Sequence, residues 1–148
     1  MYRCPACPDA VARIGGGTDA PHLSGEVRFY QEYGTVLVVA DISGMPTCGG
    51  TGFFALHIHE GGACGCEGFA QTGGHYNPKK MAHPNHAGDL PPLMRCGDRA
   101  FLAVPTDRFC VQEIIGKTVV IHDGPDDFRS QPAGNAGMKI ACGVICKK

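Results

Sequence analysis

Short apolar runs, cut off by glycine, proline, asparagine and aspartate, set the rhythm of this chain. Eight stand out: DAVARI (9–14), LSGEVRFYQ (23–31), GTVLVVADI (34–42), FFALHIH (53–59), AFLAV (100–104), RFCVQEII (108–115), KTVVIH (117–122) and KIACGVI (139–145). No segment sustains a 3.6-residue period, and the runs are rich in Val, Ile and Phe, so each reads as a strand rather than a helix. About eight strands in one domain predict an all-β barrel or sandwich. QEYGT, between the second and third runs, predicts a hairpin in which Gly34 supplies a tolerant backbone position.

Two spans break the rhythm. Residues 60–97 and 123–138 are polar and rich in Gly, Pro and Asn. Structureless loops longer than about 12–15 residues are uncommon in compact domains and are usually functional or disordered. The first span also carries three histidines, which predicts an ordered loop folded around something. No repeat or linker divides the chain. The expected organisation is an N-terminal extension with the first strand over 1–20 and a single domain over 9–146.

The run FALHIHEGG brings chemistry into the pattern. Residues i and i+2 of a strand share a face, about 6.6–6.8 Å apart. Leu56 and Ile58 can therefore enter a core while His57 and His59 stand together on the other face, as half of a metal site or as two half-exposed strand histidines. Further on, GGHYNPKKMAHPNHAGDL (73–90) supplies His75, His83, His86 and Asp89, and VVIHDGPDD (119–127) supplies His122 at a strand end. Imidazole nitrogens and a carboxylate suit a tetrahedral zinc site, and intervening Asn and Pro give turns that can aim successive rings at one point. Six of the seven histidines lie in these segments, with only His22 left over as a surface residue.

Composition narrows the classes. The chain has 148 residues, 43% of them hydrophobic and 18% charged, with a formal net charge of −1. That suits one soluble domain. The only basic doublets at issue are Lys79-Lys80 and Lys147-Lys148, so neither a nucleic-acid nor a membrane-surface partner is expected. No apolar run approaches the roughly 18 residues of a membrane span. The start, MYRCPACPDAVARIGGG, lacks the basic and apolar regions of a signal peptide, which predicts a cytoplasmic protein. Nine cysteines pull toward an oxidising compartment and keep secretion or the periplasm open.

HIHE, GGHYNP, HAGDL, IHDGPDD and GNAGMKIACGVI, in this order, resemble the copper/zinc superoxide dismutase family, of the bacterial type. The resemblance runs from about LSGEVRFYQ to ACGVI and is looser before residue 20. It implies an eight-stranded Greek-key barrel with two long metal-site loops, and dismutation of superoxide to dioxygen and hydrogen peroxide. It implies copper on His57, His59, His75 and His122, and zinc on His75, His83, His86 and Asp89, with His75 bridging the two. Asp126 would orient one histidine of each site. Cys64 and Cys142 would form the family's disulfide, with Cys66 close enough in sequence to compete. Dimers occur in the family, so a homodimer is open.

One position departs from the family. Where its pattern reads G-N-x-G-x-R, this chain has GNAGMK, with Lys139 in the arginine's place. Lysine keeps the charge that draws an anion but loses the planar fork of donors. The rival reading is a non-catalytic copper/zinc-binding module of the same fold. A third is a redox or interaction protein built on Cys4 and Cys7, which form a lone C-x-x-C with no second pair. Cys48 and Cys146 are candidates for an extra disulfide or metal site, and Cys96 and Cys110 read as packing or exposed thiols. Glu60 reads as a solvated acid at a strand end. Asp126-Asp127 lack the nucleophile or second carboxylate pair that a hydrolase needs, and Gly134 and Gly137 read as loop-shaping residues.

Overall fold

Along Thr35–Ser43 every second side chain, Val36, Val38, Ala40 and Ile42, is fully buried. The same two-residue period puts Ala10, Ala12 and Ile14, Val27 and Phe29, Phe54, Leu56 and Ile58, and Val119 and Ile121 into one core. A strand that buries one face in this way needs partners on both edges, and closing a sheet on itself supplies them. The computed structural model, which describes residues 7–148, is such a closed barrel.

Its strands are β1 (Ala10–Gly16), β2 (Ser24–Glu32), β3 (Thr35–Ser43), β4 (Phe53–His59), β5 (Asp89–Cys96), β6 (Arg99–Thr106), β7 (Thr118–His122) and β8 (Lys139–Lys147). They follow the order β1-β2-β3-β6-β5-β4-β7-β8, with β8 pairing back onto β1. Every pairing is antiparallel. The β3–β6 and β4–β7 neighbours are the crossovers expected of a Greek-key barrel. The β2–β3 hairpin turns at Gly34, whose φ of 74° requires the freedom that glycine has. The loop over 123–138 stands as the sequence predicts.

Two expectations fail, and they fail together. The predicted strand over 108–115 is instead a loop and a single helical turn, α1 (Val111–Ile114). Its apolar residues Phe109, Val111 and Ile114 are buried in the core, so the apolar run reflects burial, but at helical-turn spacing rather than the two-residue period of a strand. One local and one distant contact set the turn: the Cys110 N–H donates to Glu113 Oε2 at 2.6 Å, and the Val111 N–H donates to Gln31 Oε1 in β2 at 2.8 Å. The missing eighth strand is β5, which the sequence reading placed inside the long loop 60–97. Its segment DLPPLMRC contains Pro91 and Pro92, which argue against a central strand. Both prolines fall in a bulge between the pairs Leu56↔Leu90 and Phe54↔Leu93, where no ladder donor is needed. The first loop therefore spans only 60–88.

A disulfide joins Cys64 in this loop to Cys142 in β8. Cys66 remains free, as do Cys7, Cys48, Cys96, Cys110 and Cys146, all exposed. Cys4 lies outside the described residues. No helix among the described residues is long and apolar enough to cross a membrane.

Candidate metal centre

β4 is buried on both faces. Leu56 and Ile58 point into the barrel, and His57 and His59 point out of it, yet both histidines are also buried. The first loop covers them because it folds back along β4. The Glu60 N–H donates to Gly74 O (2.9 Å), the Gly61 N–H to Thr72 O (2.8 Å) and the Tyr76 N–H to Ile58 O (2.8 Å). This short antiparallel strip sets His75 opposite His59. β7 lies on the other edge of β4 and ends at His122. The loop then returns through His83, His86 and Asp89, where β5 begins.

The donor atoms form two groups. Those of His57, His59, His75 and His122 all lie within 4.8 Å of one another, and so do those of His75, His83, His86 and Asp89. His75 belongs to both. No other group of three or more candidate ligands occurs among the described residues, Cys48 and Cys146 included.

The outward nitrogens fix which atom of each ring faces in. His59 Nδ1–H donates to Gly73 O at 2.8 Å, and His122 Nδ1–H to Gly137 O at 3.3 Å. The two Nε2 atoms then approach each other to 3.3 Å. Asp126 holds two rings at once, its Oδ2 2.8 Å from His57 Nε2 and its Oδ1 2.8 Å from His83 Nε2. His75 Nδ1 lies 2.7 Å from Asp89 Oδ1 and 3.3 Å from His86 Nδ1. His83 Nδ1 and His86 Nδ1 lie 3.1 Å and 3.3 Å from Asp89 Oδ2.

Within the histidine cluster three buried nitrogens have no hydrogen-bond partner: His57 Nδ1, His75 Nε2 and His83 Nδ1. All three face into the groups. A buried polar atom without a partner costs about 1–3 kcal/mol, so three within one cluster call for a species that takes lone pairs. A cation bound by imidazole fits. Four imidazoles suit copper, and three imidazoles with a carboxylate suit zinc.

Electrostatics agree. Burial pushes His59 down to about 2, against the pull of its bond to Gly73 O, and pushes His122 down to about 3. Burial also lowers His57 and His86. The rings are thus held neutral, the form that binds metal. For Asp126 and Asp89 burial works the other way, but hydrogen bonds from the imidazoles win and hold both carboxyls below the usual carboxylate range.

Lys139 is the Cα partner of His122 across β7–β8, at a bulge between Ile121 and His122. Its charge is felt at both His59 and His122, where it adds to the lowering. Every residue that the sequence reading gave to the two sites therefore falls in this cluster or beside it.

Residues 23–145 match the sequence profile of the copper/zinc superoxide dismutase (SODC) family. The chain belongs to the copper/zinc superoxide dismutases. It is 36% identical over 137 residues to superoxide dismutase [Cu-Zn] 1 of Aquifex aeolicus (strain VF5), covering 82% of this chain and 79% of that protein. The superoxide dismutase [Cu-Zn] of Caulobacter vibrioides is 31% identical over 153 residues, covering 92% of this chain and 83% of its own length. The human extracellular superoxide dismutase [Cu-Zn] is 34% identical over 144 residues, covering 84% of this chain and 56% of its own length.

Several residues that support the superoxide dismutase centre escape a sequence reading. Gln131 clasps the backbone of His83: its Oε1 accepts from His83 N–H at 2.9 Å and its Nε2 donates to His83 O at 2.8 Å. Arg108 Nη1 donates to Pro84 O (2.8 Å), His86 O (3.1 Å) and Asp89 O (3.3 Å). Glu60 is exposed, as expected of a solvated acid at a strand end, and also pairs with Lys117 at 2.7 Å. No local pattern marks these contacts, because each spans the barrel or two loops.

Proposed function

We propose that this protein is a superoxide dismutase, converting two superoxide ions and two protons into dioxygen and hydrogen peroxide. The observation that carries the reading is the pair of ligand groups meeting at His75 with Lys139 beside them. His57, His59, His75 and His122 would hold copper, and His75, His83, His86 and Asp89 would hold zinc. When bound, copper supplies one-electron redox chemistry, and zinc supplies a fixed charge without redox chemistry of its own.

The chain's residues do the rest. Gly73 O, Gly137 O and Asp126 hold the tautomers of His59, His122, His57 and His83, so that lone pairs face inward. His75 Nδ1 faces Asp89 Oδ1 at 2.7 Å, and its Nε2 is buried without a partner. That nitrogen is the atom able to take up a proton and return it to the peroxide as it forms. Lys139 brings the positive charge that draws in a small anion.

A non-catalytic copper/zinc module is the rival, and relatives named as the enzyme weigh against it. The deciding experiment is superoxide decay with protein loaded with copper and zinc, against a zinc-only control. Fast decay only with copper is expected. No decay at confirmed copper occupancy would overturn the reading.

The exposed Phe53, Met94 and Phe101, on the adjacent strands β4, β5 and β6, support a homodimer, which sedimentation at micromolar concentration tests. Six exposed free thiols support a cytoplasmic setting; recovery outside the cytoplasm on fractionation would count against it. The domain is taken to run over 9–146, and limited proteolysis checks that boundary.

A further inference from the structure

Lys139 does not reach toward the histidine cluster as a free side chain. Its Nζ donates to Thr72 Oγ1 at 2.8 Å and to Gly73 O at 3.0 Å. Thr72 is fully buried, and its hydroxyl gives its own hydrogen to Phe69 O at 2.8 Å, which leaves oxygen lone pairs for the ammonium. Gly73 O is the same carbonyl that accepts from His59 Nδ1 at 2.8 Å. The ammonium and a ring of the first ligand group are therefore referenced to one backbone atom.

We propose that Thr72 is a positioning residue that acts through Lys139, fixing its ammonium beside the histidine cluster so that one N–H remains for the incoming anion. The inference rests on the superoxide dismutase reading and deepens it. An ammonium has three donors, and the two protein acceptors take two of them. A lysine on a four-carbon stem carries much rotamer freedom, and an arginine's planar fork needs less anchoring. With lysine in the arginine's place, the burden of orientation passes to the acceptors. The Thr72 hydroxyl is a side-chain acceptor, so substitution can remove it without touching the backbone.

The substitutions are Thr72→Val, which keeps the shape and removes the hydroxyl, and Thr72→Ser, which keeps the hydroxyl and removes the methyl group. Three measurements read them: azide affinity of the copper- and zinc-loaded protein by absorption titration, kcat/KM for superoxide, and protection of the Lys139 ammonium from hydrogen exchange by nitrogen-15 NMR of the zinc-only protein. Thr72→Val should weaken azide binding and lower kcat/KM by about threefold to tenfold, and expose the ammonium to exchange. Thr72→Ser should restore all three. In a Lys139→Gln background, Thr72→Val should change neither azide binding nor kcat/KM further.

An unprotected Lys139 ammonium in the parent protein would overturn the proposal before any variant is made. So would an equal effect of Thr72→Val with and without Lys139, since that marks a purely structural role. The ammonium protection needs no turnover and no copper. A parent protein without dismutase activity would therefore sink the functional reading while leaving the Thr72–Lys139 contact separately judged.

Discussion

Gly134 leaves no room for a side chain beside Asp126: a Cβ built there would lie 2.1 Å from Asp126 Oδ1 and 2.6 Å from His83 Nε2. The backbone at Gly134 also has φ 73°, a region that L-residues avoid. The second loop can thus press against the Asp126–His83 hydrogen bond only because this position is glycine. Gly134→Ala should destabilise the fold by about 1–3 kcal/mol through overpacking, and weaken zinc binding more than copper binding. Urea unfolding of the metal-free protein and chelator competition on the loaded protein check the two parts. An unchanged zinc affinity would mean that the loop yields without moving Asp126.

Asp126 couples the two ligand groups, because one carboxylate receives a ring N–H from each. Asp126→Ala frees both rings to turn and leaves both tautomers unset. Affinity for both metals should fall by about 10–100-fold. Separate competition titrations with copper and zinc chelators measure this. Loss at one site alone would show that His57 or His83 is held by something other than this carboxylate.

The clasp of Gln131 on His83 belongs to the zinc side only. Gln131→Ala removes two hydrogen bonds to the His83 backbone, each worth about 1 kcal/mol net, and a third, to Arg129 O, within the second loop. Zinc affinity should drop by roughly tenfold to thirtyfold while copper affinity stays within about twofold. If both fell together, the clasp would be shaping the whole second loop.

How far these features could be read in advance depends on the range of each interaction. The two-residue period of FFALHIH suffices to send Leu56 and Ile58 inward and His57 and His59 outward. The β5 strand hides behind Pro91 and Pro92, because a strand with prolines is legible only when the bulge that absorbs them is known. The 108–115 segment shows the converse: Phe109, Val111 and Ile114 are core residues, but a capping contact from Glu113 turns them into one helical turn. Gln131 and His83 are 48 residues apart, and Lys139 and Thr72 are 67 apart. No local pattern encodes such pairs, so motifs point to the clustered histidines and Asp89 but not to the residues that hold them in place.

The Cys64–Cys142 disulfide closes a sequence separation of 78 residues. In the chain-entropy account a loop of that size contributes about 4–5 kcal/mol by restricting the unfolded state. Cys142→Ser should shift the urea midpoint down correspondingly in the metal-free protein. A reductant should reproduce the shift in the parent and have no effect on the variant. A much smaller loss would mean that the segment from 64 to 142 stays compact in the unfolded chain without the bridge.

The metal-free protein should lose stability as pH falls through the range where free histidine takes up protons. His59 and His122 titrate at about 2 and about 3 in the fold, against 6.5 for an unperturbed imidazole. Between those values the unfolded chain binds protons that the folded chain does not. Stability therefore rises with pH across this window and is fully present only above it, with a limiting slope of about 1.4 kcal/mol per pH unit for each ring. Going from pH 7.5 to 5.0 should cost about 2–4 kcal/mol from the two histidines together. The lowered Asp89 and Asp126 carboxyls add their own loss only in more acid solution, as the unfolded carboxyls protonate near 3.8. Metal binding draws on the same neutral nitrogens, so bound metal should steepen the dependence without changing its sign. Urea midpoints of the metal-free protein at the two pH values decide the matter. A midpoint that stays level or rises on acidification would mean that the buried imidazoles are not held neutral by the fold.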